Sequence, residues 1–138
     1  MNDQTNTAWW SLRIAFFLGL FLAGLDKFFH LLTNWDQYLS PMAQRALGSH
    51  SHQFMLGAGV AEMLVAVMII RSWTKVGGYL ASMWLLLNAA NLVMTGQFRD
   101  IALSDLGLCL CAFGLAKLTE AGEQQVLHIV PPEIQRAA

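Results

Sequence analysis

The sequence predicts an all-α, polytopic membrane protein, an antiparallel bundle of four transmembrane helices with a short interfacial segment between helices 1 and 2. Three observations carry this prediction. Of 138 residues, 56% are hydrophobic and only 12% charged, against about 25% charged in an average soluble domain, and mean hydropathy is +0.47. The apolar residues fall into four stretches, each long enough to cross the ~30 Å hydrocarbon core at 1.5 Å per residue. Each stretch also carries strongly polar side chains, which in a bilayer face protein and mark function.

The first span is expected at about residues 9–32, with Trp9 and Trp10 at one interface and Trp35 and Tyr38 at the other. Residues 1–8 hold Asp3 but no Lys or Arg, and no small-residue cleavage site follows, so this span reads as retained, not as a signal peptide. The second span is expected at about 53–70 and stops at the polar run Arg71-Ser72-Trp73-Thr74-Lys75; the third covers about 76–95 and the fourth about 101–118. Backbone groups in lipid need partners within their own segment, so spans of this length should be helices. Residues 33–52 mix apolar and polar side chains around Pro41, the pattern of a short amphipathic piece at the interface. One transmembrane domain thus occupies residues 1–120. Residues 121–138 form a polar C-terminal tail, in which Pro131-Pro132 opposes a further long helix.

Four spans place both termini and the Arg71–Lys75 turn on one side. Arg13, Arg71, Lys75, Lys117 and Arg136 fall there, against Lys27, Arg45 and Arg99 opposite, a bias that puts the termini in the cytoplasm of a bacterial inner membrane. With a net charge of −1 and no basic block, nucleic acid is not an expected partner. The expected surroundings are the bilayer, other membrane or redox subunits, and further copies of the chain.

Counted along the helices, the polar groups converge. Asp26, Lys27 and His30 end the first span, Asn88 and Asn91 end the third, and Asp105 lies one turn into the fourth. Glu62 sits about 13 Å deep, nearer the midplane. Asp26 and His30 are i,i+4 neighbours, so a carboxylate–imidazole proton relay with Glu62 below it is expected. Gly19 and Ala23 continue the Asp26 stripe and allow close helix approach. Trp84 shares a face with Asn88 and Asn91, and Asp105 shares one with Cys109, Ala112 and Ala116. A lone buried carboxylate stays ionised only beside a cation; Lys27 is within a side chain's length of Glu62, with Asp26 and Asp105 as competitors for the same ammonium. A ligand-binding pocket lined by Lys27, Glu62, Trp84, Asn88, Asn91 and Asp105 follows.

Other polar groups read as structural. Arg13 and Lys117 suit interfacial anchors that snorkel to water, and Arg99 and Asp100 a solvated turn. His50 and His52 read as loop residues in water. Cys109 and Cys111 point about 200° apart on a helix, so they are small apolar fillers and not a disulfide. No metal site is expected, and no intrinsic cofactor: the chain lacks a cysteine ligand set, a flavin-binding glycine turn and a transmembrane histidine pair for haem.

The series Arg13-x5-Gly19-x4-Gly24-x2-Lys27 resembles the first helix of the DoxX-like family of small four-helix membrane proteins. The resemblance extends to Val60-Ala61-Glu62-Met63-Leu64, with Glu62 at that family's acidic position, and to the stretch from Arg99 to Gly107. It covers Ser11 to about Leu118. It implies a role beside quinone-linked or thiol-linked oxidoreductases, with Arg13, Lys27 and Glu62 as functional positions and Gly19 and Gly24 as packing positions. The long first loop with His50 and His52, and Asp26 ahead of Lys27, depart from the family pattern. The expectation is a membrane subunit that binds a quinone, or a similar amphipathic molecule, and serves a redox partner. A small proton-coupled transporter using Glu62 and a structural or assembly subunit are the alternatives.

Overall fold

The computed structural model describes residues 3–129, and every regular element within them is helical. Helix α1 spans Asp3–Phe29. A 3-10 turn at Trp35–Tyr38, the short helix α2 (Pro41–Leu47) and a second 3-10 turn at Gly48–His50 form a lid over one end of the bundle. Helices α3 (Ser51–Ile70), α4 (Thr74–Thr95) and α5 (Arg99–Ile129) complete it. The chain is a multi-pass membrane protein: four of its helical stretches are long and apolar enough to cross a bilayer.

Local chemistry accounts for the boundaries. Pro41 opens α2 at the position where a missing N–H costs nothing, and the Ser40 hydroxyl accepts from Ala43 N–H at 3.3 Å. Gly96, in the left-handed region at φ 74°, closes α4. Helix α1 begins six residues before the expected span (Asp3 against Trp9), because the end of an apolar run does not end a helix and Asp3 suits the first turn. Helix α5 likewise runs past residue 118 to Ile129. The first part of the expected tail is therefore helix: Glu, Gln, Ala and Leu are strong helix formers, and loss of hydrophobicity ends a membrane span without ending a helix. Pro131-Pro132 and Arg136 lie outside the described residues.

Helix α1 packs on α3 and α4 on α5; α3 against α4 closes one side, and α1 against α5 meets more lightly on the other. The main core, which includes Phe16, Leu20, Ala66, Ile69, Ala81, Leu85, Ala112 and Leu115, lies toward the end where α1 starts. A second cluster of Leu39, Met55 and Ala58 seats the lid, with Trp35 and Trp84 against it. The outward faces carry exposed large apolar side chains such as Leu103 and Leu110, as lipid contact requires.

The closest helix crossing sets up the site. A Cβ built on Gly24 would stand 2.6 Å from the Gly59 carbonyl oxygen, and one on Gly59 would stand 2.6 Å from the Gly24 oxygen. Only two glycines allow this backbone contact between α1 and α3. Gly19 is different. It has nothing within 4 Å of a Cβ and lines a cavity, so its expected role in close packing does not hold.

Candidate functional site

The Gly24–Gly59 crossing places Lys27, one turn on in α1, directly over α3. The Lys27 side chain runs across Gly59, its Cβ and Cδ 3.2 and 3.3 Å from where a Gly59 Cβ would be. It ends with Nζ 2.6 Å from Glu62 Oε2, both side chains almost wholly buried (4% and 6% exposed). The other Glu62 oxygen, Oε1, accepts from the Trp84 indole N–H at 2.9 Å. Above the ammonium lies the Trp35 ring, its centroid 3.8 Å from Nζ, a cation–π contact strengthened by desolvation. Trp35 is held in turn by its indole N–H, which donates to Asp26 Oδ2 at 2.8 Å. Sequence reasoning assigned Trp35 to an interfacial belt. Its place over Lys27 depends on the fold of residues 33–40, which no helical period reveals.

Beside this chain of contacts is a cavity of about 740 Å³. Successive turns of α1 from Leu12 to Lys27 and of α5 from Ile101 to Cys111 line two of its sides. Phe16, Leu20, Leu85 and Leu108 make much of it apolar; Lys27, Glu62, Trp84, Asn88, Asn91 and Asp105 supply its polar side. Phe54, Leu87 and Leu108 line it and are also surface-exposed, so it opens to the exterior. The six residues expected to form a ligand pocket are thus brought together.

They are not equivalent. The oxygens of Glu62 are filled by Lys27 and Trp84. Asn91 works on the lid: its Oδ1 accepts from Ser40 N–H at 2.9 Å and its Nδ2 donates to the Tyr38 carbonyl at 2.6 Å. Asn88 and Asp105 are half-buried on the cavity wall and make no hydrogen bond to another described residue. Asp105 lies within electrostatic reach of both Glu62 and Lys27. The wall therefore carries one amide and one carboxylate with free hydrogen-bonding capacity, beside an ion pair that is already satisfied.

The expected Asp26–His30 relay is not formed. Helix α1 ends at Phe29, and His30 adopts φ 53°, which swings its imidazole away from the Asp26 face. Asp26 Oδ1 accepts from Leu31 N–H at 2.9 Å and Leu32 N–H at 3.0 Å, while Oδ2 takes Trp35. Asp26 is a staple for the chain leaving α1. His30 stacks instead on His52, whose Nδ1 is 3.3 Å from Asp36 Oδ2.

Arg13 also departs from expectation. It does not snorkel: it is 5% exposed and caps the C-terminus of α3. Its Nε donates to the Ile69 carbonyl at 2.9 Å, and its Nη2 to those of Ile70 and Arg71 at 2.7 and 2.5 Å. The Trp9 and Trp10 rings flank its guanidinium at 4.2 and 4.4 Å. Helix C-terminal carbonyls attract a cation, and Arg satisfies several at once. Lys117 pairs with Glu120 within α5 at 2.8 Å, while Lys75 pairs with Glu123 at 2.5 Å and so ties the extended part of α5 to α4. Cys109 Sγ lies 3.3 Å from Ser82 Oγ, and Cys111 is a free thiol on the cavity wall.

No family model, curated protein or solved structure matches the chain.

Proposed function

We propose that the chain is a membrane subunit that binds a quinone, or a closely comparable amphipathic molecule, in the α1–α5 cavity and serves a redox partner. One observation supports this reading above all: an apolar slot open to the exterior, with an amide (Asn88) and a carboxylate (Asp105) on one wall that have no hydrogen-bond partner among the described residues. A quinone ring and isoprenoid tail need apolar walls, and the ring oxygens need a donor and a proton source. The Asn88 amide donates to one carbonyl oxygen, and Asp105 exchanges a proton at the other. Lys27 and Glu62, bound to one another, fix the electrostatics of the wall. The resemblance to the DoxX-like family accords with this role, as does a bacterial inner membrane with the termini in the cytoplasm. In this reading the electrons come from the redox partner.

The test is a titration of purified protein with a short-chain ubiquinone analogue, followed by quenching of tryptophan fluorescence, since Trp84 and Trp35 line the cavity. Saturable quenching in the wild type, weakened at least tenfold in Asn88→Leu, supports the proposal. Quenching that is linear in analogue, or equal in the variant, counts against it.

Asp105, with no hydrogen-bond partner among the described residues, also favours a second reading, a proton-coupled transporter. Its proton site would then be Asp105 in place of Glu62, whose oxygens are occupied. Substrate-driven proton flux in liposomes, abolished by Asp105→Asn, distinguishes it.

A further inference from the structure

A second group of ligating side chains lies at the lid end, drawn from three elements. His30 follows α1, Asp36 sits in the first 3-10 turn, and His52 lies in the first turn of α3. One ligand atom from each falls within 4.8 Å of the other two. His52 Nδ1 and Asp36 Oδ2 are 3.3 Å apart, the spacing of about 3.3 Å that a tetrahedral ion imposes on donors held at ~2.0–2.1 Å. The His30 and His52 rings stack with centroids 5.6 Å apart and planes inclined by 21°. Two further features accompany the cluster. Asp36 Oδ1 is buried without a hydrogen-bond partner. His30 is the one non-glycine among the described residues with positive φ, a conformation that a non-glycine residue adopts at a cost.

The three side chains therefore present two imidazoles and a carboxylate to one point from three separate segments, and a divalent ion placed there would engage a ring nitrogen from each histidine and the Asp36 carboxylate. We infer that His30, Asp36 and His52 form a binding site for one divalent transition-metal ion of the zinc class. Two histidines and a carboxylate suit zinc and its first-row neighbours, with at least one position left for water. The ion joins the end of α1, the first 3-10 turn and the start of α3. Trp35 precedes Asp36 in that turn, so the ion fastens the segment that covers Lys27. The site lies outside the cavity and stands independently of the quinone reading.

The experiment uses full-length protein in detergent, freed of any polyhistidine tag and stripped with chelator. Co2+ is added as a spectroscopic probe and then displaced by Zn2+. The expected result is a ligand-field spectrum that saturates at one Co2+ per chain and is abolished by one equivalent of Zn2+. His52→Gln, Asp36→Asn and His30→Asn should each weaken Zn2+ binding at least tenfold; Asn tolerates the left-handed backbone at position 30. His50→Gln should leave binding unchanged. Zn2+ should also slow hydrogen exchange across residues 33–50 several-fold in the wild type and not in His52→Gln. Absence of a saturable Co2+ spectrum in the wild type overturns the site whatever the variants do. Equal loss in His50→Gln overturns the ligand assignment, and unaltered exchange overturns the role in fastening the lid.

Discussion

Lys27 and Glu62 meet at 2.6 Å between two helices whose backbones touch one turn away at Gly24 and Gly59. The ion pair and the glycine contact form one device. The missing side chain at Gly59 is the groove in which the Lys27 stem lies, and without it the ammonium could not reach the α3 carboxylate.

Breaking the pair one side at a time should therefore be costly. Lys27→Met leaves Glu62 buried without its cation and should destabilise the protein by about 3–5 kcal/mol. The double variant Lys27→Met/Glu62→Met removes both charges and should recover most of that loss. Thermal unfolding in detergent, run as a double-mutant cycle, measures it. Additive losses would mean that the two groups do not depend on each other.

Glycine substitutions should divide sharply by position. Gly59→Ala forces a methyl group against the Gly24 carbonyl and the Lys27 stem and should cost about 1–3 kcal/mol. Gly19→Ala enters open space and gains helix propensity of up to ~1 kcal/mol. Melting temperatures of the two variants, compared side by side, check the contrast.

Arg13 should behave as a structural cap. Arg13→Met strands the α3 carbonyls of Ile69, Ile70 and Arg71 and should cost about 1.5–3 kcal/mol. Arg13→Lys should recover only part of this, because a point-like ammonium cannot serve three carbonyls in the guanidinium geometry. Quinone-analogue affinity should be unaffected in any Arg13 variant that folds, since Arg13 lies outside the cavity lining.

Asp105→Asn should separate ligand handling from stability. No described partner is lost, so thermal stability should stay the same or rise. Affinity for the quinone analogue should fall several-fold. Parallel melts and fluorescence titrations read both quantities.

The spans and the converging polar faces were legible in the sequence because both follow from helical period and bilayer thickness. So was the pairing of Lys27 with a buried carboxylate, since a buried acid requires a cation nearby; that the carboxylate is Glu62 and not Asp26 or Asp105 was set by the Gly24–Gly59 crossing. What failed lay where a helix stops. Asp26 and His30 are neighbours on an unbroken helix, but α1 ends between them, and the end of a helix in a run of apolar residues leaves no signal in hydropathy. Asn91 was grouped with Asn88 by face, yet it sits one turn nearer the lid and is taken by Tyr38 and Ser40. Gly19 and Gly24 look alike in sequence. Which one contacts α3 depends on where the helices cross, and that is set by the partner residue Gly59.

The central claim is that the cavity between α1 and α5 holds a quinone, and its most direct test is the lipid content of the protein itself. Protein purified from its native membrane should yield, on solvent extraction and mass spectrometry, close to one quinone per chain. Gly19→Phe, whose ring would fill the open space beside α1, should yield far less while remaining folded. No quinone in the wild type, or the same amount in both proteins, would contradict the account.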